Sequence, residues 1–439
     1  MIARPLSRCV SSSASSADWL VVGGGPCGVV AAGLLANDAG SKKGSVHWVD
    51  EQRFETLGRF GNYQSVPGNT PVSIFRDVLS TIGGNGFYKD QALREANALS
   101  PRDSIQGSKT LLSCPKPDLT CDLSLAIDAL SDVSLRLRTE SPNIVSHDER
   151  RLEKLVLEDD GTWRAELWRD DDVTEINSRR VILVPGRVPS ATPPELQQEP
   201  AIHVVPVEDA VAPDRLQAVA KQQPVDRWVV VGNSHTGMLV AMNLVKRCGV
   251  RPEDITVMSR SPLCFAEARP GPPPYTKFDG TGLKGSVALW ARDGEASKLD
   301  TQRYTEKEGW ASQLRRGTSE TVGVVFANGF VTEGSAMPEV VTAAGRVAFP
   351  DKCLPPETYD GYTGRLNLGP SVGEGHTLFG CGFGFPEVWD DVEGHSEQRV
   401  GFNTVFVEHV QRIIKAANGM PSHAGKQDQH RDPLLQRQA

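Results

Sequence analysis

Two stretches of this 439-residue chain place glycines where backbone can come close to an anion. The first, VVGGGPCG at 21–28, sets Gly23, Gly25 and Gly28 in the spacing G-x-G-x-x-G. The second, VVGNSHTG at 230–237, repeats the pattern with Gly232, Ser234 and Gly237. In this spacing the first glycine permits a tight turn after a strand, the second lets a pyrophosphate approach, and the third lets helix pack on strand. The following helix offers unpaired N–H groups and the positive end of its dipole to phosphate. Pro26 suits the first helical position, and Cys27 follows it in the same turn. Ser234 narrows the approach but brings a hydroxyl that can donate to a phosphate oxygen. His235, inside the second cradle, is either a phosphate or ribose contact or a bystander.

The residues that would choose between nucleotides lie one strand later. Asp50, 22 residues after Gly28 at the end of SVHWVDE, is placed to accept hydrogen bonds from a ribose 2′-OH. Glu51 takes that role if the strand ends one residue later. The strand after the second cradle, ITVMSRS, has no acid there; Arg260 stands instead, and arginine pairs with a 2′-phosphate. That favours NADPH, with NADH possible if Arg260 is a solvated charge at a strand end.

The elements that must position these groups follow from pattern and punctuation. Residues 18–51 read as one β-α-β unit, with a helix from Pro26. Helices are expected after Pro71 and over DLSLAIDALSD. RLEKLVLEDDGTWRAELWRDDDVTEINSRRVILV alternates apolar and polar residues around turn signals, which predicts three antiparallel strands. After the proline-rich connector PGRVPSATPPELQQEP comes a second β-α-β unit, then the buried-looking strand TVGVVFANGF. A helix is expected over SEQRVGFNTVFVEHVQRIIKAA.

Composition bounds the function. A formal net charge of −8 offers no field for a phosphate backbone, so nucleic acid is not an expected partner. No apolar run reaches the roughly 18 to 20 residues of a membrane span, and a soluble protein is expected. The eight cysteines form no C-x-x-C or zinc-like grouping, so no metal is expected and free thiols in a reducing compartment are the plain reading. MIARPLSRCVSSSASSAD, basic and serine-rich, is either a flexible tail or a targeting segment, which leaves a cytoplasmic or a mitochondrial location.

Two cradles, the second set in after a three-stranded meander, resemble the two-dinucleotide-binding-domain flavoproteins. The resemblance implies FAD in the first cradle and NAD(P)H in the second. It also implies an α/β fold of two Rossmann-like domains (three-layer ββα), the second inserted into the first, with an antiparallel β-meander. The expected division is a tail over 1–17, the FAD-binding domain over 18–190 and 331–418, the NAD(P)H-binding domain over 191–330, and a disordered tail over 419–439. VILVPGRVPS resembles the strand-turn that leaves the FAD domain, which implies a role for Gly186, and VGVVFANGF resembles the return. The redox cysteine pair of the disulfide reductases is absent from both places it occupies in that group. In LFGCGFGF the late G-D signature reads Gly382-Phe383, closer to class B flavin monooxygenases and N-hydroxylases, although their F-x-G-x-x-x-H-x-x-x-[YW] fingerprint is not found. FGNYQSVPGNTPVSIF occupies the stretch that runs beneath the flavin in this superfamily.

Within that resemblance the flavin carries the difficult chemistry and the protein orients and shields it. An acid–base group is expected in WDDVEGHSEQ, from Asp390, Asp391, His395 or Glu397. His395 is the sharpest candidate because imidazole titrates near neutrality; an ordinary loop histidine is the plain alternative. Tyr63, Phe383 and Phe385 either line the flavin or pack. Three functions remain open: an FAD- and NADPH-dependent monooxygenase of a small substrate, an NAD(P)H:quinone-type reductase, and a non-catalytic FAD-binding redox sensor. The oligomeric state is not legible.

Overall fold

The computed structural model describes residues 15–38, 45–82, 120–269, 275–278, 282–304, 314, 320–332, 337–347, 349, 358–370, 372, 375–390, 396–399 and 406–419. β1 (Ser15–Val22) runs into α1 (Pro26–Asn37) and returns as β2 (Val46–Val49), parallel to β1. The strand begins three residues before the expected Asp18, because Ser15 to Ala17 pair with Ile176 to Ser178. Trp19, Leu20, Val21 and all of β2 are buried, as parallel strands covered on both faces must be. α1 is buried from Cys27 to Gly33, so it is an interior helix rather than an amphipathic one.

Next come a small hairpin of β3 (Pro67–Pro71) with β4 (Thr120–Asp122), helices α2 (Val72–Ile82) and α3 (Leu123–Glu140), and β5 (Ile144–His147) beside β2. The predicted meander is present as β6 (Arg151–Leu157), β7 (Trp163–Arg169) and β8 (Asp172–Leu183). Its inward residues, Leu152, Leu155, Trp163, Ala165, Leu167 and Ile176, form one core with Leu20, Val49 and Phe385. β8 is long enough to serve twice. Its first half closes the meander, and its second half lies parallel to β1, with Val181 opposite Leu20.

From β8 the chain crosses through β9 (Val188–Pro189) into a second sheet. There α4 (Pro194–Gln197), β10 (Ile202–Val205), α5 (Val207–Ala210) and α6 (Pro213–Gln222) precede β11 (Arg227–Val231), α7 (His235–Lys246) and β12 (Ile255–Ser259). The ribbon β13 (Glu267–Arg269) and β14 (Tyr275–Lys277), α8 (Gly285–Arg292), β15 (Asp300–Arg303) and β16 (Val322–Phe326) complete it. The five strands lie in the order β10-β16-β11-β12-β15, all parallel. The chain returns through β17 (Phe330–Val331), which pairs antiparallel with β9, Phe330 opposite Pro189.

β18 (Glu339–Thr342) and β19 (Gly345–Val347) then extend the meander edge, and β20 (Leu378–Gly380) docks on β8. The first sheet reads β19-β18-β6-β7-β8-β1-β2-β5, with β20 on β8. β21 (Glu387–Asp390) pairs with β22 (Ser396–Arg399), and α9 (His409–Ala417) closes the described chain. Residues 396–399 were expected as the start of a long helix. They are a strand because β21 supplies a backbone partner, and tertiary pairing overrides the helical propensity of Glu, Gln and Arg. Arg412 of α9 forms a buried 2.7 Å ion pair with Glu387 of β21 and donates to the Tyr362 carbonyl, which fastens the helix. The protein is therefore α/β, with two Rossmann-like units, the second inserted into the first, and an antiparallel meander. Among the described residues no helix is long and apolar enough to cross a membrane.

Candidate functional site

The two cradles are built the same way. Gly23 ends β1 with φ +125°, and a Cβ there would lie 2.4 Å from the Val184 carbonyl oxygen. Gly232 ends β11 with φ +115°, and its Cβ would lie 2.3 Å from the Ala327 oxygen. Gly28 and Gly237 are each fixed by the first glycine of their own cradle: a Cβ on either would stand 1.9 Å from that glycine's oxygen. Gly186 (φ +72°) and Gly329 (φ +110°) then turn the two crossing strands away.

The middle positions differ in a useful way. A Cβ on Gly25 would meet only the Leu57 oxygen, at 3.6 Å, so the chain's own packing does not demand glycine there. Its counterpart Ser234 is exposed, caps α7 and makes no capping hydrogen bond with its side chain. Gly25 likewise caps α1 without a side chain, with Pro26 and Cys27 in the first turn. Both helix starts thus present main-chain donors to the space above the middle residue.

Asp50 follows β2 and is buried, whereas Glu51 is exposed, so the structure puts Asp50 at the cradle. Its carboxylate accepts from the backbone N–H of Gly24 and, at 2.6 Å, of Gln52. Burial raises its pKa to about 6 against the pull of these two donors. A residue the sequence reading passed over braces the same turn: fully buried Trp48 donates from Nε1 to the Gly23 oxygen at 2.9 Å. Its signal was a tryptophan two positions before the acid in HWVD.

In the second cradle His235 is the first residue of α7. Burial, aided by the charge of Lys284, lowers its pKa to about 4, so the imidazole is neutral at physiological pH. Its Nδ1 is buried without a hydrogen-bond partner among the described residues. Asn233 bridges the cradle to the end of β12 by donating to the Ser261 oxygen at 2.7 Å, and exposed Arg260 lies next to that contact.

The stretch 57–66 joins the two units. Tyr63 donates to Glu208 of α5 at 3.1 Å, and Arg215 of α6 donates to the Asn62 oxygen at 2.7 Å. Burial and Glu208 push the Tyr63 phenol up, so it is a neutral donor here. A cavity of about 410 Å³ lies beside the crossing ribbon, lined by Pro189, Ser190, Val205, Glu208 and Phe326 among others. Phe385 is fully buried edge-on against Tyr359, and Phe383 is 41% exposed.

Gly382 (φ +79°) carries the end of β20 to the start of α1: a Cβ there would stand 2.9 Å from Cys27 Cβ. Cys27 and Cys381 are consequently in contact, Sγ to Sγ 3.4 Å. Burial pushes the Cys27 thiol up. The same burial opposes charge on Cys381, but the Cys27 S–H and the His409 ring outweigh it and draw that thiol down. His395 and Asp391 lie outside the described residues, so the structure brings neither into this site. Among the described residues no group of three or more metal-ligating side chains is found.

A further titrating pair sits at the far end of β2. His47 and His147 stack with ring nitrogens 3.0 Å apart. Burial lowers both, His147 to about 4, where His47 and Arg150 add to the shift. His235 and His376 are also lowered to about 4. As pH falls from 6.5 towards 4 the unfolded chain takes up protons that the folded one refuses, so stability is lost across that window. Asp50 acts oppositely and alone: its stabilising contribution is present below 3.8 and lost as pH rises through about 6. The histidines outnumber it. The melting temperature is expected to fall steadily from pH 7 to 4, as stability drops by at most about 1.4 kcal/mol per pH unit for each group. His147→Phe should flatten that fall, and an unchanged slope in a pH series of thermal melts would refute it.

No family model matches the chain, and no curated protein matches it. Solved structures do. Ornithine N-hydroxylase of Kutzneria sp. 744, in a structure with reduced FAD, NADP+ and L-ornithine, superposes with a TM-score of 0.52 at 12% identity, covering 93% of this chain and 100% of that one. A flavin monooxygenase from Stenotrophomonas maltophilia gives 0.54 at 14% identity over 94% and 100%. L-lysine 6-monooxygenase from Pseudomonas syringae gives 0.54 at 15% identity over 92% and 100%. At these identities the likeness is one of architecture, and it runs over more than nine-tenths of the chain. The protein has the two-dinucleotide-binding-domain flavoprotein fold.

Proposed function

We propose that this protein is an FAD-dependent oxidoreductase that takes hydride from NADPH and delivers electrons to dioxygen, oxygenating a small-molecule substrate. The observation that carries the reading is the doubled cradle: two helix starts, each beneath a glycine fixed by a crossing strand, on two units of one chain. The residues of the first cradle fit FAD. Gly25 leaves room that the chain itself does not need, the α1 amides face that room, and Asp50 stands at the end of β2 for a ribose hydroxyl. Bound there, FAD supplies the hydride acceptor and the electron donor that no side chain provides.

The chain's own residues bind, orient and shield. Asp50, held by two backbone donors, fixes the adenosine end. Ser234, with the α7 amides, meets the phosphates of NADPH, and the neutral His235 can donate or accept there without adding charge. Gly186 and Gly382 let backbone come close to the first nucleotide. Tyr63 and Glu208 hold the two units together where the reacting rings must meet. His395 is proposed as the acid–base residue on its position in sequence. The architecture shared with N-hydroxylases and a flavin monooxygenase supports oxygen as the electron acceptor and leaves the substrate open.

The test is anaerobic reduction followed by oxygen. Purified protein is expected to carry flavin absorbance that NADPH bleaches without oxygen and oxygen restores. A colourless protein that refuses added FAD would end the reading. NADPH consumption that needs a quinone and ignores oxygen would move it to a reductase, and flavin that NADPH cannot reduce would make the protein a sensor. Arg260 is assigned to the 2′-phosphate. Arg260→Ala is expected to raise KM for NADPH about tenfold or more and to leave KM for NADH unchanged, the worth of one charge-assisted contact. Equal changes for both nucleotides would remove the assignment.

A further inference from the structure

Cys27 and Cys381 are 354 positions apart in sequence and 3.4 Å apart at sulfur, and both are buried free thiols. Three features bring them together. Cys27 occupies the first turn of α1, and Cys381 follows β20 directly. Gly382 clears the way, since a Cβ there would meet Cys27 Sγ at 3.0 Å. His409, the first residue of α9, is wholly buried and acts on Cys381, and neither of its ring nitrogens makes an aligned hydrogen bond among the described residues. Space for that ring is kept by Gly364, whose Cβ would lie 2.9 Å from His409 Nε2. With no other hydrogen bond among the described residues, that buried imidazole is left to act on the Cys381 sulfur.

We propose that Cys27 and Cys381 form a redox centre of the protein itself, a dithiol that closes to a disulfide at the foot of the first cradle, with His409 positioned to take the Cys381 proton. The inference goes beyond the flavin reading and does not depend on it. Cys27 donates its S–H to Cys381, so charge gathers on Cys381, which is the attacking sulfur. The oxidant is hydrogen peroxide, which comes from the side of Cys27, 4% exposed where Cys381 is wholly buried. Cys381 sulfur bonds to one peroxide oxygen, the O–O bond breaks, and the other oxygen leaves as water with the proton that Cys381 gave up. Cys27 sulfur then bonds to Cys381 sulfur, the S–O bond breaks, and that oxygen leaves as water with the Cys27 proton. Two thiols and one hydrogen peroxide give one disulfide and two waters. The sulfurs close by about 1.4 Å, and a small-molecule dithiol reverses the step by exchange.

The experiment uses the full-length protein, reduced with dithiothreitol, freed of it, treated with one equivalent of hydrogen peroxide, denatured and alkylated. Two of the eight cysteines should escape alkylation. Before alkylation the intact mass should fall by two hydrogens, and peptide mapping should find Cys27 joined to Cys381, with dithiothreitol restoring all eight. Cys27→Ser should strand the oxidised Cys381 as a sulfenic acid that dimedone captures. Eight alkylated cysteines after peroxide, or a bridge between any other pair, would overturn the proposal. Both outcomes are read on the wild-type chain, whether or not the variant folds.

Discussion

Gly28→Ala is expected to lose FAD binding and destabilise the fold together. A methyl at position 28 falls 1.9 Å from the Gly23 oxygen and 2.9 Å from its carbon, inside backbone that cannot yield. α1 has no room to retreat, because Val29, Val30, Ala31, Ala32 and Leu35 are all fully buried against their neighbours. Overpacking of this kind costs about 1–3 kcal/mol, and every ångström the helix moves takes its amides from the phosphates. An affinity loss of about fivefold or more follows from the lower end of that range. Titrating flavin-free protein with FAD and melting it measures both effects. Gly25→Ala is the companion: its methyl touches only the Leu57 oxygen, at 3.6 Å, so the fold should keep its melting temperature while flavin affinity drops. If Gly25→Ala binds FAD as the wild type does, the pyrophosphate does not sit over α1.

The mirrored change in the second cradle separates the two nucleotides. Gly237→Ala puts a methyl 1.9 Å from the Gly232 oxygen and 2.7 Å from its carbon, and α7 is buried from Gly237 to Leu244. Flavin should stay bound at wild-type stoichiometry. Reduction by a fixed, sub-saturating concentration of NADPH should slow about five- to 150-fold, the kinetic equivalent of about 1–3 kcal/mol of displaced cradle. Stopped-flow absorbance gives the answer. A variant that loses flavin but is still reduced normally when reloaded would reverse the assignment of the cradles.

What the sequence made legible and what it hid differ in range. The β-α-β units could be read because the steric demand on Gly28 comes from Gly23, and that on Gly237 from Gly232, five residues away in the chain. The meander could be read because β6, β7 and β8 alternate over short turns. Asp50 and Glu51 were separable only by burial, which depends on where β2 stops against β5. The start of the last helix was misread because Ser396 to Arg399 take their shape from Glu387 to Asp390 across an intervening segment. The contact between Cys27 and Cys381 had no local signal: each cysteine looks like a small apolar residue until Gly382 folds one against the other. The Tyr63–Glu208 bond is hidden for the same reason, joining elements with no shared period or turn.

The pairing of Pro189 with Phe330 has a further consequence. The chain leaves the outer sheet and comes back to it through a single doorway, so the inner unit, held besides by Tyr63–Glu208 and Arg215–Asn62, is a cassette in the outer one. Length or sequence gained or lost inside it leaves the separation of β8 and β18 unchanged. On the proposed assignment of NADPH to the cassette, a change of nucleotide preference can accumulate there while the outer sheet and its cradle keep their geometry.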